Sequence, residues 1–457
     1  NTVYDRLSEQ NSFTNKQMSA VTDQVNRLAG SIGSLNEAIA IAAANGKQPN
    51  DLLDARDEAV RQLSGYIGVT VVPQDDSSFN VFIGSGQPLV VGSTVAKLEV
   101  VPGQGDPNRH EVQFISGGSR QGITSQITGG ELGGLIRYRE EVLDSTMNSL
   151  GRLSLAVSDQ VNTQLRQGLD LKGGVGEALF GNYNEPALAK LRVNAFAGNS
   201  NAQPVLNITD TSVLTTSDYL MEYDASGPKV RRLSDNQLMT VTESPAGTLS
   251  IADKNGVDQG FQVVLGNPAP AVGDKFSLQP TRRGAADIKA TLDQADQLAF
   301  AAPVRAESNL QNAGTGAIGQ PDMTSGPSPI SISALQGLFG SNGATLTFTE
   351  PDTVTITGGT AQFRSVDDST TPPTVSYSAT ATIQPGQSNS LVVGDANYQF
   401  EFSLSGTPKD NDRFAMAFNQ SGVSDNRNAL KLVDLQTKQT VGVDAAVNGS
   451  GFSFTDG

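Results

Sequence analysis

The chain has 457 residues, of which 37% are hydrophobic and 17% are charged, and its formal net charge is -16. A chain of this length exceeds what one hydrophobic core usually organises, so we expect two to four domains. The acidic balance argues against nucleic-acid binding, because like charges repel, and the lack of cysteine excludes disulfide, thiolate–metal and cysteine-nucleophile chemistry.

The N-terminal segment, residues 1–45, is predicted to form one long helix. Its apolar residues recur at alternating spacings of three and four, the heptad pattern that buries one stripe of a helix against another helix. We call this stripe the seam, and its residues are Met18, Val21, Val25, Leu28, Ile32, Leu35 and Ile39. Asn45-Gly46 followed by Pro49 predicts the end of the helix.

A second helix and a short β segment follow. The helix is predicted from Asp51 to about Tyr66, with Asn50 as its N-cap. From Gly68 to about residue 122 the apolar period changes to two, and polar turns separate short strands. We therefore expect a β-hairpin excursion from the helical region.

Gly129-Gly130 precede a third helix, predicted from about Glu131 to Gln167. Its apolar residues at near-helical spacing include Leu150, Leu153, Val157 and Val161. We expect most of the seam to pack against this third helix within one monomer, with contacts between subunits on the outer faces.

Residues 174–421 form a long stretch of predicted strands and turns. One run alternates over nine residues and predicts a single strand with one buried face; its alternating members are Val375, Tyr377, Ala379, Ala381 and Ile383. Residues 302–329 are rich in Gly, Asn, Ser and Pro, which predicts a linker.

A weak internal repeat lies in this stretch. Residues 262–279 resemble residues 399–417, and Asp274 and Phe276 align with Asp412 and Phe414. Each copy is predicted to be a strand, a proline-containing turn and a second strand. The repeat favours two similar β domains, and a chance resemblance between two hairpins is the open alternative.

Ser424-Asp425-Asn426-Arg427 predicts the start of another helix, so the chain leaves a helical region near residue 173 and returns to it near 424. The predicted fold class is α+β multidomain, with an elongated α-helical bundle or coiled-coil domain that carries inserted β-rich domains. We assign residues 1–172 plus 422–457 to the helical rod domain, 173–302 to one inserted β domain and 303–421 to a second.

The sequence contains no recognisable motif for catalysis, cofactor binding or metal binding. The one histidine, His110, has no partner histidine for a zinc site, and no G-x-S-x-G motif accompanies it. The glycine-rich run before the third helix lacks the Lys-Ser/Thr of a phosphate-binding loop. We therefore predict no catalytic, cofactor or metal site. No signal peptide and no membrane helix are expected either, because the chain lacks an apolar run of sufficient length.

Four segments, taken in order, resemble the bacterial flagellar hook-associated protein 1 family. Its N-D-L-L-D-x-R-D motif matches Asn50, Asp51, Leu52, Leu53, Asp54, Arg56 and Asp57. Gly130–Leu135 resembles its G-x-L-G-G-L helix start, and Asn162 and Gln164 match the end of its next helix. In this family an S-D-N-R-N segment leads the chain back into the helical domain, and it is matched by Ser424, Asp425, Asn426, Arg427 and Asn428. Leu165 departs from the pattern, because members often carry histidine there.

The resemblance covers about residues 1–172 and 422–440, and it implies a structural protein of the bacterial flagellum that is not an enzyme. Such proteins leave the cell through the flagellar type III export system and form the junction between hook and filament. The implied partners are further copies in a ring, the hook protein, hook-associated protein 3 and an export chaperone. Nucleic acid and membrane are not expected partners. The two terminal helical segments of the family are expected to be missing here, and such a trimmed chain is expected to be a monomer.

Two other functions remain open at this point. The β-rich stretch could serve as a surface adhesin or a carbohydrate-binding module, although aromatic residues are only 6% of the chain. A hydrolase that uses scattered carboxylates is the third hypothesis, and the missing motifs argue against it.

Overall fold

The computed structural model describes residues 2–350, 352–441 and 452–453. Helices occur together with several antiparallel sheets, which confirms the predicted α+β multidomain class. Among the described helices, none is both long enough and apolar enough to span a membrane.

The helical region comes first. Its elements are α1 (Thr2–Ala44), α2 (Asn50–Tyr66), β1 (Val69–Pro73), β2 (Phe79–Ile83), β3 (Gln87–Val91), β4 (Thr94–Val95), β5 (Lys97–Val101), β6 (Glu111–Ser116), β7 (Ser119–Gly122), α3 (Gly130–Tyr138) and α4 (Ser145–Leu165). The strands form one sheet in the order β1-β2-β3-β4 and another in the order β5-β6-β7. They account for the excursion predicted between the second and third helices.

Two helix boundaries show how local chemistry sets the path. Asn50 is the first residue of α2 and not its N-cap; Pro49 occupies the cap, and its carbonyl accepts the first backbone hydrogen bonds of the helix. Helix α3 begins at two glycines with positive φ, 71° at Gly129 and 64° at Gly130. A Cβ on Gly130 would lie 2.4 Å from the backbone nitrogen of Ile67. Only glycine therefore lets α3 start against the end of α2.

A π-helical segment, Arg139–Asp144, joins α3 to α4. The predicted third helix is thus one continuous helical path with a wider turn in its middle. Such segments are rare and rotate the residues that follow them around the helix axis. Here α3 contributes Leu132 and Ile136 to the core of the helical region, whereas Leu155 of α4 belongs to the core of the next region.

The first β region follows. Its elements are α5 (Pro186–Leu191), β8 (Val193–Ala195), β9 (Val205–Ile208), β10 (Tyr219–Asp224), β11 (Gly227–Arg232), β12 (Gln237–Leu238), β13 (Thr240–Glu243), β14 (Thr248–Ala252), β15 (Asp258–Val264), β16 (Lys275–Leu278) and α6 (Gly284–Asp287). Two sheets, in the orders β12-β11-β10-β16-β8 and β13-β14-β15-β9, enclose one hydrophobic core.

The second β region is built in the same way, and the chain then returns to helix. Its elements, with those of the return, are β17 (Val304–Ser308), β18 (Ala317–Ile318), β19 (Asp322–Ser325), α7 (Ile332–Phe339), β20 (Ala344–Glu350), β21 (Thr353–Thr357), β22 (Gln362–Asp367), β23 (Thr374–Ser378), β24 (Thr380–Thr382), β25 (Asn389–Gly394), β26 (Gln399–Ser405), β27 (Arg413–Phe418), α8 (Arg427–Asp434), β28 (Gln439–Val441) and β29 (Phe452–Ser453). One sheet has the order β17-β27-β20-β21-β24, and the other contains β18 and β19 beside β26, then β25, β22 and β23.

The two β regions share most of their connectivity, because β11-β10-β16-β8 corresponds to β21-β20-β27-β17 and β13-β14-β15-β9 corresponds to β22-β25-β26-β18. Their edge strands differ, since β12 precedes β13 in the chain whereas β24 follows β22 and β23. In each, the two strands of the predicted repeat, β15 and β16 or β26 and β27, lie in different sheets. Their turns match bond for bond: Asp274 accepts from the backbone of Ala271, and Asp412 accepts from that of Lys409. The strand–turn–strand prediction is confirmed for both copies, and the matching strand orders extend the similarity to both regions.

Two predictions within this stretch are wrong. Residues 302–329 are not a linker, because β17 pairs with β27, and β18 and β19 pair with β26. The run predicted as one strand breaks at Ala379 into β23, which pairs with β22, and β24, which pairs with β21. All residues of β23 are exposed. Periodicity failed here because one chain segment supplies the edges of two sheets.

Candidate functional site: polar joints between the helical and β regions

The seam lies in the core of the helical region. Met18, Val25 and Ile32 are fully buried, Val21 and Ile39 are nearly so, and Leu28 and Leu35 are half-buried. The seam contacts α2, the strands of the excursion and α3.

The residues predicted as its partners lie elsewhere. Leu150, Leu153, Val157 and Val161 are half-buried on α4, which has few contacts with α1. Packing of the seam on the predicted third helix is therefore concentrated in its first half, at Leu132, Ile136 and the π-helical segment. Helix α4 instead contacts α6 and α8, because the π-helical segment rotates the residues that follow it around the helix axis.

Arg56 is the buried residue of the N-D-L-L-D-x-R-D motif. Its Nη1 donates to Asn36 Oδ1 at 3.2 Å and to the Ser77 carbonyl at 2.5 Å. Its guanidinium lies 3.5 Å from the centre of the Phe79 ring, a favourable cation–π contact. Arg56 thus ties α2 to α1 and to the β excursion. The motif residues Leu52 and Leu53 are half-buried, and Asn50, Asp51, Asp54 and Asp57 are exposed.

A cluster of half-buried carboxylates around the buried Arg282, which we call the first joint, links the helical region to the first β region. Arg282, which follows β16, is its centre: Nε donates to Asn148 Oδ1 of α4 at 2.8 Å, and Nη2 donates to Asp218 Oδ2 at 2.6 Å. Its Nη1 lies 3.4 Å from Asp144 Oδ1 and 3.6 Å from Asp106 Oδ2. Five elements or loops therefore meet at one guanidinium, which carries the geometry of the joint.

Further bonds close the first joint. Arg109 Nε donates to Asp144 Oδ2 at 2.8 Å, and Gln279 Nε2 donates to Asp106 Oδ2 at 2.9 Å. Burial raises the pKa of Asp218, and Arg282 opposes that rise. Arg282 therefore offsets part of the cost of burying this carboxyl, and losing Arg282 would remove its nearest positive charge.

The S-D-N-R-N return forms the second joint. Arg427 Nη2 donates to the Val304 carbonyl at 2.8 Å, and Nη1 donates to the Pro321 carbonyl at 3.0 Å. Asp425 accepts from Arg427 at 2.7 Å. Although burial acts in the other direction, the hydrogen bonds and charge of Arg427 hold the pKa of Asp425 below its ordinary value.

Asn428 completes the second joint on the helical side. Its Nδ2 donates to the carbonyls of Gln164 in α4 and Ala299, at 3.0 and 2.6 Å. Gln164 Nε2 donates back to Asn428 Oδ1 at 2.7 Å. Asn426 is exposed and is the N-cap of α8, which begins at Arg427. The motif therefore binds the second β region and the helical region at one point.

A cleft of about 720 Å³ lies beside the first joint, between the first turns of α1 and the 106–110 loop. Both signs of charge line it, including Lys16, Asp106 and Arg283. His110 is a loop residue there, and its backbone N–H donates to Asn15 Oδ1 at 3.3 Å. Within the described residues, no group of three or more His, Cys, Asp or Glu is placed to hold a metal ion.

Sequence reasoning missed the first joint. Asp106, Asp144, Asp218 and Arg282 are scattered over the chain and belong to no local motif. The second joint, in contrast, sits in four consecutive polar residues at a helix start, which gave it a local signal.

Two family models match the chain. Residues 1–180 match "Flagellar hook-associated protein FlgK helical domain", and residues 194–280 match "Flagellar hook-associated protein 1, D2-like domain". The solved structure of the flagellar hook junction protein FlgK from Burkholderia pseudomallei is similar to the whole chain, with a TM-score of 0.78 and 28% identity, and the match covers 80% of that protein.

Two curated relatives carry the name flagellar hook-associated protein 1. That of Escherichia coli K12 is 32% identical over 65% of this chain and 52% of its own length. That of Salmonella typhimurium LT2 is 30% identical over 66% of this chain and 54% of its own length. The chain therefore spans about half the length of these relatives.

Proposed function

The chain belongs to the flagellar hook-associated protein 1 family, and we propose from this membership that it is a non-catalytic structural part of the junction between hook and filament of a bacterial flagellum. The observation that carries the proposal is the similarity of fold along the whole chain to a hook junction protein. The proposed location is outside the cell, after export by the flagellar system.

The polar joints support a mechanical role. Each β region has a hydrophobic core of its own. Each is held to the helical region by polar side chains with several acceptors, namely buried Arg282 in the first joint and half-buried Arg427 with buried Asn428 in the second. Buried hydrogen-bonded charge fixes orientation, since any displacement leaves a charge unsatisfied. Such joints suit a protein that must pass load between two tubes.

We propose the following organisation. The helical rod domain comprises residues 1–172 with 422–457, and 173–302 and 303–421 are β domains inserted into it; the separate cores support this division. The end of the rod domain, residues 442–451 and 454–457, lies outside the described residues. The proposed role of the seam is to hold the rod domain together. The proposed partners are neighbouring copies, the hook protein, hook-associated protein 3 and an export chaperone.

Genetic complementation tests the proposal. A chimera in which this chain replaces the matching segment of the Escherichia coli hook-associated protein 1 would be expressed in a strain that lacks that protein. We expect filaments on hooks by electron microscopy, and secreted chimera in the medium serves as the export control. Bare hooks, together with folded and secreted chimera, would contradict the proposed function.

A further inference from the structure

One helix connects the hydrophobic core that contains the seam to the cores of the two β regions. In chain order, the first of these cores ends at Ile136, and the other two begin at Leu155. Between them, Leu143 and Met147 are buried but belong to none of the three cores. Among the residues that the structure describes, the chain therefore passes from the first core to the others once, and it does so through the π-helical segment Arg139–Asp144.

The π-helical segment leaves two buried donor groups unsatisfied. Arg139, its first residue, is fully buried, and its Nη1 donates to the His110 carbonyl. Its Nε and Nη2 make no hydrogen bond within the described part of the chain. Buried donors without acceptors cost free energy, and helices bend sharply where the α-helical pattern is interrupted by such a segment. The segment is therefore the point at which this helix bends most easily.

The 106–110 loop holds both this segment and the first β region. The loop belongs to the helical region, since it lies between β5 and β6. Arg109 Nε donates to Asp144 Oδ2, at the end of the segment, at 2.8 Å. Toward the first β region, Asp106 Oδ2 accepts from Gln279 Nε2 at 2.9 Å. Two side chains of one loop therefore fix the direction in which the chain leaves the helical region.

Open space lies on two sides of this loop. The cleft of about 720 Å³ lies between it and the first turns of α1. A second cleft, of about 700 Å³, lies against Tyr219 and Leu220 of β10. Asp106, Arg109 and Asp144 line both clefts. Because close-packed interiors resist displacement, these two clefts are where the first β region has room to move relative to the helical region.

We propose that Arg139–Asp144 is a hinge between the helical region and the two β regions, and that the 106–110 loop is a latch that holds the orientation seen in this structure. With the latch closed, the bonds of Asp106 and Arg109 keep the hinge from bending. When these bonds break, the β regions swing together as the helix bends between α3 and α4, since a hinge needs only a few residues that absorb changes in φ and ψ. The hinge is a property of the chain by itself, so it is independent of the proposed function.

Distances between pairs of spin labels, measured by electron paramagnetic resonance, test the hinge in solution. The chain has no cysteine, so two introduced cysteines can be labelled without background. One pair, at Asp23 of α1 and Lys254 of the first β region, spans the hinge. A second pair, at Glu131 and Ser149, brackets the hinge at about 27 Å along the helix. A third pair, at Ser226 and Lys254, lies within the first β region, and all five residues are exposed.

The variant D106A with R109A removes both latch contacts and keeps the net charge. For the spanning and bracketing pairs it should broaden the distance distribution about twofold, because one orientation gives way to several. The pair within the first β region should keep its width. The matched control is D75A with R120A, two exposed residues of the same β excursion, and it should change none of the three distributions.

Unchanged widths in the D106A/R109A variant would overturn the latch, as would a wild-type chain that is already as broad. A broader spanning pair with an unchanged bracketing pair would place the bend elsewhere and overturn the hinge. Broadening of all three pairs would mean that the first β region itself loosens, which also contradicts the hinge. Circular dichroism at 222 nm checks that the variant is folded. If it is unfolded, Q279A opens the latch from the other side, with the same expected and contrary results.

Discussion

At the scale of single residues, buried charged side chains fix where the helical region meets the first β region and how the turns of the two β regions close. Arg282 is 6% exposed and contacts residues from the helical region and from the first β region. Asp274 and Asp412 are 4% and 2% exposed and anchor equivalent turns in the two β regions. Each is irreplaceable by an apolar residue as a single change, since its partners would remain buried without bonds.

Replacing Arg282 by alanine should destabilise the first joint by about 3–5 kcal/mol, because Asp218 would lose its ion-pair partner and Asp144 would keep only Arg109. Hydrogen exchange followed by mass spectrometry at residues 144–152 and 216–220 measures the loss. The matched control is R231A, whose arginine is exposed on the same β region. Equal protection of these segments in R282A and R231A would show that the first joint contributes nothing to stability.

The carboxyl of Asp412 should make the stability of the second β region depend on pH. Burial opposes its ionisation, but backbone N–H groups of Lys409, Ala313 and Gly314 hold the pKa of this carboxyl below its ordinary value. A carboxyl whose pKa is lower in the folded state than in the unfolded state stabilises the folded state at pH values above its unfolded-state pKa. That stabilisation is lost as the pH falls through the folded-state pKa. D412N should therefore weaken exchange protection of 399–418 by about 2 kcal/mol at pH 7. The difference should shrink toward pH 3. A difference that is constant with pH would contradict this account, and D368N, at an exposed turn, is the control.

At the scale of elements, the sequence predicted local structure well and packing partners less well. The bounds of α1, α2 and α8 and the strands of the repeat follow from apolar periodicity and turn residues, which act over a few neighbours. The π-helical segment, the two sheets that share residues 374–382 and the residues around Arg282 depend on contacts between distant parts of the chain. Periodicity carries no information about such contacts, so it did not predict that α2 and the strands of the excursion share the seam with α3.

The seam supports a direct prediction. Ile32 is fully buried and Ile41, on the same helix, is 58% exposed. I32A should cost about 2–5 kcal/mol, through lost burial and the cavity that remains. I41A should change stability by less than about 0.5 kcal/mol. Urea unfolding followed by circular dichroism at 222 nm compares the two variants, and equal midpoints would contradict the placement of the seam in a core.

At the scale of the whole molecule, three hydrophobic cores are joined by small polar contacts. This arrangement predicts that a joint can be loosened while the cores stay intact. R427A removes the bonds to the carbonyls of Val304 and Pro321, so exchange should speed up at residues 299–304 and around 321. Protection at 414–418, inside the core of the second β region, should be unchanged. Uniform loss of protection would instead mean that the region has no independent core.

The proposed place of this chain at the junction between hook and filament can be tested on flagella that carry the chimera. Immunogold electron microscopy with an antibody against the second β region locates the chain. We expect gold particles only at the boundary between hook and filament. Label spread along the filament, or confined to the cell surface, would contradict it.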